Sequence, residues 1–275
     1  MLSISTDYRG SHGDAAPALH AIADAGFTHI HWCHEWNTDY RYSDDEIRQI
    51  CVLLQTYGLR LSDLHASSGA TANWGSLQED TRRAGVALIV NRILMTATLG
   101  GDAIVIHLPD ELSLQDKRAM VRDAIYHSID ELLPVLRTHG IRMALENALG
   151  WDNTGIITDI LETYRSEFLG LCYDAGHGNI IGNGCAHLDA LKSYLIVTHL
   201  HDNNGIDDQH RIPFTGTIDW TRLTELIAAS PYSKPLTLEV TAHPEETDVE
   251  FLTAAFTAGS RLTDMVAAAR RVTTA

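Results

Sequence analysis

The twelve residues His199–His210, HLHDNNGIDDQH, carry histidine or aspartate at half of their positions, directly after the apolar run Tyr194-Leu195-Ile196-Val197. The same juxtaposition recurs along the chain. Apolar segments end LSDLH at His65, AIVIH at His107, RMALE at Glu146, LCYD at Asp174, LIVTH at His199 and LTLE at Glu239. Asp174-Ala-Gly-His177 adds a second candidate three residues past its carboxylate, and Asp208-Gln-His210 supplies two more. Any one of these reads equally well as a polar loop residue. Six successive segment ends restricted to His, Asp and Glu read as one shared site. Imidazole and carboxylate suit Zn²⁺, Mn²⁺, Co²⁺ or Fe²⁺, and the absence of cysteine from the set argues against a purely structural zinc. Nine groups exceed the shell of one tetrahedral ion. Two or three ions, some sharing a carboxylate, would accommodate them.

For these groups to meet, the segments that carry them must converge. Short apolar runs alternate with longer amphipathic ones, which predicts strand-then-helix units. The strands are expected at 2–5, 28–32, 59–64, 103–106, 142–145, 169–173, 195–198 and 236–238. Helices are expected at 15–25, 44–57, 84–99, 117–139, 157–164, 187–194, 220–229 and 248–269, with Gly58 and Gly140 as C-caps. Eight βα units without a linker or composition break predict a parallel sheet closed into a single (β/α)₈ TIM barrel spanning 1–275. In such a barrel the strand C-termini form the active face. A doubly wound open sheet is the competitor, and no Gly-rich phosphate fingerprint follows the first strand to support it.

Composition narrows the partners. Hydrophobic residues make up 45% of the 275, enough for a sizeable core. Lys and Arg total 20 against 36 Asp and Glu, a formal charge of −16. That field repels phosphate backbones and anionic headgroups, so nucleic acid is a disfavoured partner. Cys33, Cys51, Cys172 and Cys185 form no CxxC pair and read as reduced, buried thiols. The start MLSISTDYRG lacks a secretory pattern, and no apolar run approaches a membrane span, so a cytoplasmic protein is expected.

The motifs resemble the xylose-isomerase-like TIM barrels, a superfamily of sugar isomerases and epimerases that also includes endonuclease IV. LENALG at Glu146, YDAGHGN at Asp174–His177, HLHD at His199 and LTLEV at Glu239 carry the resemblance, which covers most of the chain. It implies a four-ligand core of Glu146, Asp174, His199 and Glu239, as in the epimerase and isomerase branches. The endonuclease branch would add His65 and His107 beside Glu146, and group His177, Asp208 and His210 around another ion. All nine positions hold the matching residue type. The acidity and the lack of a basic run depart from the endonuclease pattern.

Two activities follow from the resemblance. The first is a divalent-metal-dependent isomerase, epimerase or related lyase on a sugar or sugar-derived hydroxy-ketone, with Zn²⁺ or Mn²⁺ stabilising an enediolate. Glu146 and Glu239 would act as bases, with His177 and Arg211 orienting the substrate. The alternative is multinuclear phosphoester hydrolysis; a third reading is a non-catalytic barrel with a structural metal. Trp36, Trp74 and Trp151 suit stacking on a sugar ring, or could cover the barrel mouth or a homo-oligomer interface. His31, His34 and Glu35 could form a further metal cluster, or cap a helix or bond substrate. His201 reads as structural or substrate-contacting, and the resemblance gives it no ligand role. Asp202 could orient a ligand imidazole or close the turn with Asn203-Asn204-Gly205. Asp207 is expected to face solvent, and Asn91-Arg92 to form a surface or salt-bridge pair.

Overall fold

The computed structural model describes residues 1–67, 69, 71–147 and 153–273; Trp151 lies outside them. Eight strands form one parallel sheet: β1 (Leu2–Ser5), β2 (His29–Trp32), β3 (Arg60–His65), β4 (Ala103–His107), β5 (Arg142–Glu146), β6 (Leu169–Asp174), β7 (Leu195–His199) and β8 (Leu236–Leu238). Each strand pairs with its sequence neighbour, and β8 returns to β1. The barrel is nearly closed on the remaining side. Just past the end of β7, Leu200 bridges to Leu238, with Leu200 N donating to Thr237 O at 2.9 Å.

The helices alternate with the strands as expected: α1 (Ala16–Asp24), α2 (Asp44–Tyr57), α3 (Glu79–Leu99), α4 (Arg118–His139) and α5 (Thr154–Tyr164). After β6 come two helices, α6 (Ala175–Ile181) and α7 (Gly184–Leu191), and then α8 (Trp220–Ala228) and α9 (Asp248–Thr273). Helix α2 is fixed at both ends. Ser43 and Glu46 form a capping box at its start, and Gly58 takes the left-handed conformation (φ 66°) at its close. Several boundaries differ from expectation: α5 begins three residues before Ile157, α7 three before His187, and α9 runs four past Ala269. Helix α3 begins five residues before Ala84, and the segment expected as a helix over 187–194 ends in a 3-10 turn at Lys192–Tyr194. Helix α6 was not expected, because seven residues are too few to display a 3.6-residue period.

Strand alternation explains how the site is made. Side chains two apart share a face of a strand. Val105, Ala144, Cys172 and Val197 pack, with Ala103, as a small cluster of their own, separate from the main core. Two residues further along the same strands come His107, Glu146, Asp174 and His199. The register sets His107 beside Glu146 and Asp174 beside His199. On the other half of the ring the positions two apart are polar, with Asp63 and His65 on β3 and Ser3 and Ser5 on β1, all buried.

One expectation about the helices is overturned. Arg92 is wholly buried rather than at the surface, and no carboxylate pairs with it among the described residues. Its Nη2 donates to Ser67 Oγ (2.8 Å) and Tyr40 O (3.1 Å), and its guanidinium lies over the Tyr42 ring at 4.5 Å. Asn91 bonds both the N and the O of Tyr42. The pair anchors the β2–α2 loop, which crosses over α3 and covers it.

Candidate metal centre

All nine candidates are described, five histidines, two glutamates and the aspartates Asp174 and Asp208, and they form a continuous network at the strand C-termini. Glu146, on β5, is its hub. Glu146 Oε2 lies 3.1 Å from His107 Nε2 and 3.6 Å from His65 Nε2, whose two nitrogens are 3.3 Å apart. Glu146 Oε1 lies 3.3 Å from His199 Nδ1, which is also 3.3 Å from Glu239 Oε2.

A second lobe grows from β6. The Asp174 side chain caps α6 by accepting from His177 N at 2.6 Å, which turns His177 back over the strand ends. His177 Nε2 lies 3.6 Å from Asp208 Oδ2, and His210 Nε2 lies 3.1 Å from the same oxygen. His201, given no ligand role by the sequence pattern, belongs here too: its Nε2 is 3.1 Å from both oxygens of Asp174 and 3.8 Å from Asp208 Oδ1. Its ring stacks on His210 at 4.0 Å and rests against Gly176, where an added Cβ would fall 1.9 Å from the ring. Only glycine fits there. The signal was available, since His201 is two residues past His199.

Three imidazoles have their tautomer set by the backbone. His65 Nδ1 donates to Ala66 O, His177 Nδ1 to Asn147 O and His210 Nδ1 to Glu239 O, each at 2.9 Å. A carbonyl can only accept, so each Nδ1 carries hydrogen and each Nε2 is left with its lone pair. Two of those lone pairs face Asp208, and the third faces Glu146. Glu146 Oε2 and Asp208 Oδ1 have no hydrogen-bond partner among the described residues. Lone pairs turned toward carboxylates in a buried site require a cation between them, a proton or a metal ion. The electrostatics agree. Burial opposes charge on His177 and His210, but Asp174, Asp208, Glu146 and Glu239 outweigh it and push both up to about 10. Burial would raise the Glu146 carboxyl, yet His199 and His107 hold it well below the usual range. The donor set therefore fits divalent metal, with Glu146 and Asp208 placed to be shared.

The network opens into a cavity of about 550 Å³. His65, His107, Glu146, His177, Asp208, His210 and Glu239 line it, whereas Asp174 and His199 lie wholly buried beneath. Ser5, Asp7, Asp110 and Thr241 complete the wall and were not singled out from the sequence. Trp36 lines the cavity with its ring centroid 4.6 Å from that of His65. Trp74 does not reach it; its Nε1 donates to His107 O at 3.2 Å from the neighbouring loop. Arg211 is exposed and its backbone pairs with Asp202, so the cavity wall does not include it.

His31, His34 and Glu35 diverge: His31 pairs with Asp63 at 2.6 Å, His34 packs on Trp32, and Glu35 meets His12 at 3.2 Å. Asp202 organises the loop rather than a ligand imidazole. Its carboxylate accepts from Asn203 N, Phe214 N, Ile218 N and Trp220 Nε1 at 2.8–3.2 Å. Asp207 faces solvent. Cys33 and Cys172 are buried, while Cys51 and Cys185 are only partly so.

Residues 19–255 match the xylose isomerase-like TIM barrel family. The chain belongs to that family. An uncharacterised protein of Sinorhizobium fredii, y4fM, is 29% identical to this xylose isomerase-like barrel across 92% of the chain and 90% of its own length. The crystal structure of a D-tagatose 3-epimerase-like protein superposes with a TM-score of 0.77 at 20% identity, over 99% of both chains. An L-ribulose 3-epimerase structure gives 0.78 at 16% identity, over 99% of this chain and 96% of its own. No helix among the described residues of this barrel is long and apolar enough to cross a membrane.

Proposed function

We propose that this chain is a divalent-metal-dependent isomerase or epimerase acting on a sugar or sugar-derived hydroxy-ketone. The observation that carries the reading is the pair Glu146 and Glu239, two carboxylates that meet at His199 and both face one cavity of small-molecule size. Glu146, Asp174, His199 and Glu239 would hold the ion. When bound, it polarises the substrate carbonyl and offsets the charge left when a neighbouring carbon loses its proton. Glu239, the more accessible of the two carboxylates, takes that proton. Delivery of another proton from Glu146 on the opposite face, with Glu239 left protonated, gives epimerisation; return of the Glu239 proton at the adjacent carbon gives isomerisation. Trp36 offers an apolar wall for a sugar ring, and the likeness to sugar epimerases supports the choice of substrate class.

The test is solvent exchange. Metal-loaded protein in D₂O is expected to incorporate deuterium at carbon in at least one ketose or keto-acid of a broad panel. No carbon-bound exchange across the panel overturns the reading.

A second reading has its own observation. Asp208 and His210 fold back to His177 and His201, which supports a further ion and, with it, metal-assisted phosphoester hydrolysis. Two or three ions per chain together with hydrolysis of a small phosphoester would favour this alternative.

A further inference from the structure

Beside the metal cavity lies a second one of about 430 Å³, between the loop after β3 and the 3-10 turn Asp110–Ser113 after β4. The two adjoin, because His107, Leu108 and Asp110 line both. Each has the size of a small-molecule site.

We propose that this groove is a second sugar subsite, so that the substrate is an uncharged, disaccharide-sized carbohydrate with its reacting unit at the metals. The proposal rests on the carbohydrate reading of the metal cavity and extends it. The lining supplies what a polyhydroxylated ring needs. Trp74 forms one wall, with its only polar group already satisfied by the His107 carbonyl. Asn73 Nδ2 donates to Glu111 Oε1 at 3.2 Å, which orients that carboxylate and leaves it lone pairs for hydroxyl donors. Asp110 adds a second acceptor at the junction of the two cavities. Charge excludes the other occupants: among the described residues neither cavity is lined by Lys or Arg. A phosphoryl or carboxylate group in the groove would face Asp110 and Glu111 with no cation to offset it.

Binding to the metal-loaded full chain, measured by titration calorimetry, tests this without requiring turnover. The probes are D-fructose, the glucosyl-fructose disaccharides turanose and palatinose, and fructose 6-phosphate. At least one disaccharide is expected to bind ten-fold or more tighter than fructose. Ser113→Trp, an exposed position on the groove rim, is expected to remove that gain. The proposal is overturned if neither disaccharide outbinds fructose, if Ser113→Trp leaves the gain intact, or if the substitution weakens the phosphate ester alone. A disaccharide preference without deuterium exchange would sink the isomerase reading and leave the groove standing.

Discussion

His31 Nδ1 lies 2.6 Å from Asp63 Oδ1, and both side chains are wholly buried directly below the metal centre. The other Asp63 oxygen accepts from Lys234 Nζ at 3.0 Å and from Ser62 Oγ at 2.8 Å. Burial would raise the Asp63 carboxyl, but Lys234 and His31 hold it well below the ordinary range. With Nδ1 turned to the carboxylate, His31 Nε2 is buried without a hydrogen-bond partner among the described residues, and its ring sits 4.5 Å from that of His199. The strand ends thus rest on a charged layer that reaches from Lys234, at the opposite rim of the barrel, up to a candidate ligand.

Asp63→Asn removes the wholly buried carboxylate that links His31 to Lys234, and leaves Lys234 only its half-exposed partner Asp102. A loss of about 3–5 kcal/mol in folding stability is expected, as for other broken buried pairs. Urea unfolding measures it. A loss within about 0.5 kcal/mol, the usual range of surface changes, would show that the pair is not holding the barrel floor.

Glu239→Gln keeps the shape of a side chain that is mostly buried and deletes its basicity. Exchange into substrate is expected to fall by about 10²–10⁴-fold, the usual contribution of a positioned base, while the melting temperature stays close to that of the parent. Unfolding of this variant would instead assign Glu239 to a structural metal site.

Removal of metal by chelation should lower Tm, and readdition should restore it. At ligand concentrations about 1,000-fold above Kd the expected stabilisation is about 4 kcal/mol. The number of ions separates the two functional readings. In a multinuclear centre, Asp208→Ala and His210→Ala should each remove one ion per chain by elemental analysis. Unchanged stoichiometry in both would restrict the metal to Glu146, Asp174, His199 and Glu239.

Asp202→Asn replaces an acceptor-only carboxylate that serves four donors with an amide that presents hydrogen to some of them. A loss of about 2 kcal/mol is expected, together with faster proteolysis within 203–219. Unaltered cleavage there would mean that the Asp202–Arg211 backbone bridge suffices to hold the loop.

Arg92→Met deletes the donors that hold Ser67 and Tyr40 while preserving much of the buried volume. Burial pulls the guanidinium down to about 10, which still leaves it charged at neutral pH, so the variant removes a buried cation together with its hydrogen bonds. About 2 kcal/mol of destabilisation is expected from the orphaned acceptors, with a red-shifted tryptophan emission as the loop bearing Trp36 loosens. An unshifted spectrum would separate Arg92 from the positioning of Trp36.

The strands, their order in the chain and the identity of the residues at their ends were legible in the sequence, because a two-residue period and an apolar-to-polar boundary are local properties. Glu146, Asp174, His199 and Glu239 could be read off in this way, and so could the membership of His65 and His107. What each residue meets was not legible. Between His65 and Glu239 the chain runs through six strands, and only closure of the barrel brings their side chains within 3–4 Å of a common partner. Arg92 was misplaced because polar and apolar residues are spread all round α3, so no stripe marked its face; a loop from elsewhere in the chain buries it. His201 and Asp202 lie past the end of β7, where alternation stops and the path of the turn decides direction. Gly176 lets one ring into the site, and the Asp202 hydrogen bonds turn the other side chain away. The cavity beside Trp74 depends on the spacing of two loops, which is a distance between elements and has no counterpart in any single stretch of sequence.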